Sequence, residues 1–204
     1  MHPPLTTELL LSAYCSGLFP MADPDDDGRI SWYAPDPRAI LPLDGLHISK
    51  SLARTVRQGK FEVSVDRAFE NVMRMCAESA PGRETTWISE VLIGAYTELH
   101  ERDYAHSVEC RRDGELAGGL YGVAIGGAFF AESMFSRSRD ASKVALAHLV
   151  ERLQAGRFVL LDVQMNTPHL ARLGAVVISR SAYEIRLARA LTVSADWNAI
   201  DTVG

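Results

Sequence analysis

Apolar residues recur along the chain with two different periods, and the change of period divides the chain into helices and strands. Leu10, Tyr14 and Leu18 lie on one face of a helix, which predicts a short amphipathic helix over residues 7–18. The same helical spacing recurs over residues 67–80, 88–99, 167–173 and 180–191 and in the segment that follows Lys143. Each of these helices needs an apolar surface against which to pack.

That surface comes from segments with the composition of strands. Residues 106–111, 115–124 and 128–134 are separated by Arg112-Asp113-Gly114 and Ile125-Gly126-Gly127, which are strong hairpin signals, so they predict an antiparallel meander. Further strands are predicted at residues 30–33, 61–65, 158–161 and 176–178. Two closely spaced prolines predict a stiff corner without a regular element over residues 35–38.

The order of these elements predicts an α+β fold. After the corner come a strand, two helices, the meander, a helix, a strand, a helix, a strand and a helix, which is the layout of a GNAT-type acyltransferase domain. We therefore expect a small N-terminal domain over residues 1–36 and a GNAT-like domain over residues 37–204. Such a fold does not by itself define a substrate.

A polar pair at the end of a buried strand is the first candidate for chemistry. Asp162 and Gln164 follow the apolar residues 158–161, and the two-residue period of a strand points both side chains to the same side. Burying a lone carboxylate costs several kcal/mol, so Asp162 must be paired, hydrogen-bonded or used. A cap for the next helix is the plain alternative, but Thr167 and Pro168 already supply a cap and a first helical residue.

Composition places the chain among globular proteins of one domain, or of one domain with a small appendage. It has 204 residues, 47% of them apolar, and no apolar run approaches the roughly 20 residues of a membrane span. No signal peptide opens the chain, so we expect a cytoplasmic protein without membrane contact. Cys15, Cys76 and Cys110 lack the spacing of zinc ligands or of a disulfide framework, so neither a metal nor a disulfide is expected.

The distribution of charge is more informative than its sum. A net charge of −5 argues against a protein that coats itself in nucleic acid. Between residues 46 and 60, however, Lys50, Arg54, Arg57 and Lys60 occur without a single acidic residue, and positions 50, 54 and 57 share one helix face. This face is either an ordinary solvated surface or a site for an RNA backbone.

Several segments, taken together, resemble the bacterial leucyl/phenylalanyl-tRNA–protein transferases. They are LLLSAYCSGLFPM (9–21), WYAPDPRAILP (32–42), LHISKSL (46–52), TTWIS (85–89), AHSVE (105–109), GGLYGVAIGGAFFAESMFS (118–136), ASK (141–143), LLDVQ (160–164) and HLARLGA (169–175). They cover nearly the whole chain in the family's order. Met21 departs from relatives that carry Trp, and Leu149 and Leu153 from relatives that carry Phe, which affects the shape of the pocket.

The resemblance implies the transfer of Leu, Phe or Met from aminoacyl-tRNA to a protein that begins with Arg or Lys, which marks that protein for degradation. It implies no cofactor and no metal, and it gives the catalytic role to Asp162 and Gln164, so that Asp162→Asn is expected to cost catalysis far more than folding. The implied walls of the amino-acid pocket are Leu120, Phe129, Met134, Leu149 and Leu153, with Trp87 near the adenosine and Glu132 as partner of the α-ammonium. With such a substrate, the acid-free basic residues Lys50, Arg54, Arg57 and Lys60 would bind the tRNA backbone.

Two other functions fit parts of the sequence. An acetyl-CoA-dependent N-acetyltransferase would share the fold, but the turn over residues 136–143 lacks the glycines that usually present N–H groups to pyrophosphate. A non-catalytic RNA- or peptide-binding module finds support only in the basic segment 46–60. For each apolar pocket residue taken alone, ordinary core packing is the simpler interpretation, and Glu132 could equally face a structural arginine.

Overall fold

The computed structural model describes residues 5–26, 28–79 and 85–200 of the chain. The N-terminal part consists of helix α1 (Thr7–Cys15) and a two-stranded antiparallel hairpin, β1 (Phe19–Ala22) and β2 (Ile30–Tyr33). Thr6 begins the helix as its N-cap, because its hydroxyl accepts the N–H of Leu9. Gly17, with φ near +75°, follows the end of α1 and supplies the left-handed conformation that often ends a helix.

The remaining elements form one larger α+β unit. They are β3 (Arg38–Ile40), α2 (Lys50–Arg57), β4 (Glu62–Val65), α3 (Phe69–Ala77), α4 (Glu90–Glu101), β5 (Ala105–Arg112), β6 (Glu115–Ile125), β7 (Ala128–Ser136), α5 (Ala141–Ala155), β8 (Leu160–Gln164), α6 (Pro168–Arg172), β9 (Val176–Ile178) and α7 (Arg180–Leu191). The predicted mixture of helices and strands is confirmed, and so are the three strands of the meander.

Seven strands build the main sheet in the order β4-β5-β6-β7-β8-β3-β9. All neighbours run antiparallel except β7 and β8, which pair in parallel. Parallel pairing needs a crossover connection, and α5 provides it. The sheet therefore has one parallel junction, near its middle.

Both faces of the sheet are covered, so the described chain contains two apolar cores. On one face α1, α3, α4 and α7 contribute residues such as Tyr14, Val72 and Tyr96 to the first cluster. On the other face α5 packs against the sheet and α2 packs against α5, and Leu146 and Leu149 of α5 belong to the second cluster. Helices on both faces explain why β6 and β8 are buried on both sides.

Several elements differ from the predictions. The corner expected over residues 35–38 ends one residue early, because Arg38 is already the first residue of β3, which lies between β8 and β9. Strand β1 has no counterpart among the predicted elements. The helix predicted over 67–80 is observed as Phe69–Ala77, and residue 80 lies outside the described ranges.

No helix in the part of the chain that the structure describes is both long enough and apolar enough to cross a membrane.

Candidate active site

A cavity opens where the two parallel strands separate. The pairing between β7 and β8 covers only Ala128–Phe130 and Leu160–Asp162, although both strands continue further. The cavity has a volume of about 230 Å³. Its lining consists of Leu120, Ala131, Glu132, Ser133, Met134, Val163, Gln164, Thr167, His169 and Leu170. Most of its walls are therefore apolar, and two polar side chains from the separating strands, Glu132 and Gln164, face each other within it.

Irregularities in the ladders aim these polar side chains. Between β6 and β7, Tyr121 pairs with Ser133 and Gly122 with Ala131, so Glu132 is the extra residue of a β-bulge. On the other strand, the register between β3 and β8 shifts so that Val163 is the extra residue, and Gln164 has a positive φ of 58°. Left-handed backbone is uncommon for a residue other than glycine and often marks a functional position.

Asp162 is held in a fully buried ion pair with Arg38. Arg38 Nε donates to Asp162 Oδ1 at 3.0 Å and Arg38 Nη2 to Oδ2 at 2.6 Å, while the two side chains are 1% and 0% exposed. The Tyr183 hydroxyl donates to Oδ2 at 2.7 Å and the Gln164 backbone N–H to Oδ1 at 2.8 Å. Although burial opposes the charge on Arg38, its pKa is raised because Asp162 outweighs that effect. Both carboxylate oxygens are thus occupied.

Glu132 has the opposite environment. Its carboxyl accepts Gln164 Nε2 at 2.7 Å and the Tyr96 hydroxyl at 3.3 Å, and Tyr96 is in turn hydrogen-bonded to Tyr14. No Arg or Lys forms an ion pair with it within the described ranges. Burial raises the pKa of Glu132 to about 8, and the negative charge of Asp162 acts in the same direction. The sequence analysis left open whether Glu132 faces a structural arginine. The arginine of this site, Arg38, pairs with Asp162 instead.

A continuous hydrogen-bond network links these groups. It runs from Arg38 and Tyr183 through Asp162 to the backbone of Gln164, and from the Gln164 side chain through Glu132 to the tyrosines of α1 and α4. Because Gln164 Nε2 is used on Glu132, its carbonyl oxygen Oε1 is left as an acceptor. The arrangement can thus orient an N–H donor and exchange a proton near neutral pH.

The structure brings only some of the predicted pocket residues to the cavity. Leu120, Glu132, Met134 and Gln164 line it. Phe129, Leu149 and Leu153 are fully buried in the second core cluster and are absent from the residues that line it. Trp87 packs partly buried against the first cluster, where its carbonyl accepts the Ala22 N–H at 3.1 Å. The pocket roles predicted for these side chains remain predictions.

The basic segment forms the predicted helix. Lys50, Arg54 and Arg57 are exposed on α2, and Lys60 is exposed just beyond its end. None of the four forms an ion pair with another residue of the described ranges. The opposite side of α2 buries Leu52 and Thr55, so the charged face is directed at solvent.

Arg38, Tyr183, Tyr96 and Tyr14 are site residues that sequence reasoning missed. One signal existed, because an arginine directly before the apolar residues 39–41 needs a buried partner as much as Asp162 does. The tyrosines fit ordinary helix stripes, and nothing local distinguishes them from core residues.

One group of side chains has the composition of a metal site. The ligand atoms of Asp66, His100 and His106 lie within 4.8 Å of one another. However, His100 Nδ1 bonds to the Ala105 carbonyl at 2.8 Å, which requires the proton on that nitrogen, and Asp66 Oδ2 bonds to His106 Nδ1 and Trp197 Nε1, each at 2.9 Å. These hydrogen bonds account for all three side chains, and the bond from Trp197 to Asp66 anchors the C-terminal segment.

Comparisons with known proteins connect the whole chain with one family. The family model for leucyl/phenylalanyl-tRNA protein transferase matches residues 40–188, and the model for the N-terminal domain of that transferase matches residues 4–36. A leucyl/phenylalanyl-tRNA–protein transferase of Salinibacter ruber is 56% identical over 197 residues, which cover 97% of this chain and 85% of the relative. One from Rubrobacter xylanophilus is 57% identical over 188 residues, which cover 92% and 95%.

Two solved structures show distant likenesses to the chain. L-PGS from Bacillus licheniformis has a TM-score of 0.44 at 15% identity, over 76% of this chain and 65% of that one. A GCN5-related N-acetyltransferase-like protein from Streptococcus suis has a TM-score of 0.39 at 13% identity, over 85% and 64%. The family match is far stronger: the chain belongs to the leucyl/phenylalanyl-tRNA–protein transferase family and is an aminoacyltransferase.

Proposed function

We propose that this protein transfers Leu, Phe or Met from aminoacyl-tRNA to proteins that begin with Arg or Lys, which marks them for degradation. One observation carries the proposal: an apolar cavity at a strand junction ends in a hydrogen-bonded carboxyl and amide, Glu132 and Gln164. Apolar walls with a few convergent polar groups are the usual form of a small-molecule site. An apolar side chain that is unbranched at Cβ, with an adjacent amino group, fits this combination.

The reaction demands little chemical activation. The aminoacyl ester is already reactive, so the enzyme must bind it, orient the acceptor amine and stabilise the tetrahedral oxyanion. The amine attacks the ester carbon, a C–N bond forms and the C–O bond to the ribose breaks. Of the two protons that the acceptor ammonium loses, one ends on the released 3′ hydroxyl and the other reaches solvent.

Gln164 is the residue that we place against the acceptor amine. Its Nε2 is fixed by Glu132 at 2.7 Å, and its backbone N–H by Asp162 at 2.8 Å, so the side-chain carbonyl has a defined direction. That oxygen can accept an N–H bond and hold the lone pair of the amine toward the ester. Asp162, whose oxygens are both occupied, acts through Gln164 as a positioning residue.

Glu132 is the group that we pair with the α-ammonium of the transferred amino acid. Its pKa of about 8, raised by burial, lies close to the pKa of roughly 8 of a free α-amine. Proton exchange between the two groups therefore costs little free energy. A bound ammonium would also supply the cation that Glu132 lacks among the described side chains.

The organisation of the chain is part of the proposal. We propose a small domain over residues 1–36 and a GNAT-like domain over 37–204. Support comes from β1 and β2, which form their own sheet, whereas β3, from Arg38 on, belongs to the main sheet. The parallel junction where β7 and β8 separate favours the GNAT-like description.

A transfer assay tests the proposed function. The protein is incubated with labelled Leu-, Phe- or Met-tRNA and a peptide that begins with Arg or Lys, and the extended peptide is measured. Matched peptides that begin with Ala, or whose Arg carries an N-terminal acetyl group, should give no product. Extension of the Ala peptide at the same rate would contradict the acceptor class, and stabilisation by acetyl-CoA in a thermal-shift assay would favour an acetyltransferase.

A further inference from the structure

A second cleft adjoins the candidate active site. It has a volume of about 350 Å³ and lies between the segment before α2, the start of α5 and helix α6. Its polar lining consists of His47, Ser49, Lys143, His169 and Arg172, and the apolar Leu52 and Leu173 complete it. We call it the basic cleft.

The side chains that line the basic cleft include no acidic residue. Arg172 is exposed and has no ion-pair partner among the residues that the structure describes. Lys143 Nζ forms an ion pair with Asp140 Oδ1 at 2.9 Å, and Arg139 Nε lies 3.5 Å from Asp140 Oδ2. Burial lowers the pKa of His169, and the charges of Lys143 and Arg172 lower it further. The cleft therefore presents net positive charge without an internal counter-ion for Arg172.

The cleft is continuous with two other features of the surface. His169 lines both the basic cleft and the candidate active-site cavity, so one imidazole forms the boundary between them. At the other end, Ser49 is the N-cap of α2, the helix that carries the exposed face of Lys50, Arg54 and Arg57. The basic cleft thus adjoins the candidate active-site cavity at His169 and the N-terminus of α2 at Ser49.

We propose that the basic cleft binds the phosphodiester groups of the last nucleotides of the donor RNA, next to the esterified adenosine. The inference rests on the proposed function, because it takes the ester to lie in the adjoining cavity. Arg offers a planar fork and Lys a point charge to phosphate oxygens, and such contacts position a strand without reading its sequence. Leu52 and Leu173 give the sugars an apolar surface.

The spacing along the surface favours an RNA strand over a small anion. A free phosphate needs only one compact site, whereas this cleft shares His169 with the candidate active-site cavity and includes Ser49, the N-cap of α2. A strand whose 3′ end enters the cavity can continue through the cleft toward the N-terminus of α2. Donors of increasing length should therefore gain affinity in steps.

A donor series tests the inference. Transfer to an Arg-peptide is measured with aminoacyl-adenosine, which has no phosphodiester, with an aminoacylated trinucleotide, and with full aminoacyl-tRNA. The wild type should show a lower KM for the trinucleotide than for the adenosine. Arg172→Glu should raise the KM for trinucleotide and tRNA about tenfold, a scale typical of one charge-assisted contact, and leave kcat/KM for aminoacyl-adenosine unchanged.

Two further measurements separate this role from a structural one. Arg172→Ala should flatten the log–log salt dependence of tRNA binding by about 0.7 to 0.9. Arg186→Ala removes another exposed arginine, from α7. It should leave the salt dependence of tRNA binding and every KM at the wild-type value. Equal loss with all three donors, or an intact gain from adenosine to trinucleotide in Arg172→Glu, would overturn the inference. Absence of transfer by the wild type from every donor would refute the proposed function itself.

Discussion

Replacing Asp162 by Asn should destabilise the fold strongly. The carboxylate of Asp162 accepts four hydrogen bonds, two from Arg38 and one each from Tyr183 and Gln164. An Asn side chain has one oxygen and one NH₂ group. The NH₂ group would take the place of one carboxylate oxygen and would face N–H or O–H donors that have lost their acceptor. The substitution also leaves the Arg38 guanidinium, 1% exposed, without its counter-ion.

The size of the effect follows from the burial of the pair. Removing one partner of a buried ion pair costs about 3–5 kcal/mol, because the remaining charge is uncompensated. Contacts of Arg38 that persist, to the Gly17 carbonyl at 3.1 Å and over the Phe19 and Tyr183 rings, do not replace a carboxylate. Domains have about 5–15 kcal/mol of stability in total, so the loss is a large fraction. This loss of stability replaces the sequence-based expectation that Asp162→Asn costs catalysis far more than folding.

Urea denaturation at pH 7 measures this loss. With a slope of about 2 kcal/mol per molar urea, the midpoint should fall by roughly 2 M. Glu132→Gln is the matched control, since it makes the same chemical change in a neighbouring carboxyl that lacks an arginine partner, and it should be neutral or stabilising. Arg38→Met combined with Asp162→Leu should recover most of the stability. An Asp162→Asn midpoint equal to that of the wild type would refute the account of the pair.

Three further predictions concern the carboxyl, the pocket and the basic helix. Because the pKa of Glu132 is raised from 4.5 to about 8, its contribution to stability is complete below pH 4.5 and is lost as the pH rises through 8. Calorimetry should therefore show Glu132→Gln to be more stable than the wild type at pH 8.5, by up to about 5 kcal/mol in free energy of unfolding, and this gain should vanish near pH 4.5. Met134→Ala enlarges the cavity and should shift donor preference toward Phe over Leu by about 1–3 kcal/mol in competition assays. The control Met165→Ala, which removes an exposed side chain, should leave the preference unchanged. An equal loss of activity with both donors would show that Met134 is a core residue. Replacing the three basic residues of α2 by Ala should flatten the salt dependence of tRNA binding by roughly 2 to 3 log–log units, and an unchanged slope would leave that face as an ordinary solvated surface.

The helices and the meander could be predicted because their signals are local. Helix α4 repeats apolar residues at the helical period over three turns, and the hairpins carry Gly114 and Gly126, both with positive φ, where the turns need them. Strand β3 could not be found in this way. It has only three residues, follows a proline, and owes its place to pairing with strands more than a hundred residues away.

The same distinction applies to the site. Asp162, Gln164 and Glu132 could be singled out because polar residues in apolar strands need partners, but the sequence could not assign those partners. Arg38 lies 124 positions from Asp162, and Gln164 lies 32 from Glu132. The bulges at Glu132 and Val163 also break the two-residue period on which face assignments depend.

The two buried carboxyl groups of the site divide its tasks through their surroundings. Both oxygens of Asp162 accept from the Arg38 guanidinium, and one of them also accepts the Gln164 N–H at the end of β8. Glu132 has only neutral hydrogen-bond donors, and its pKa near 8 lets it gain or lose a proton at physiological pH. Two neighbouring carboxyl groups in such different surroundings can take separate roles in a reaction. In the proposed mechanism, Arg38 therefore determines which carboxyl anchors the site and which one is left to interact with an amine.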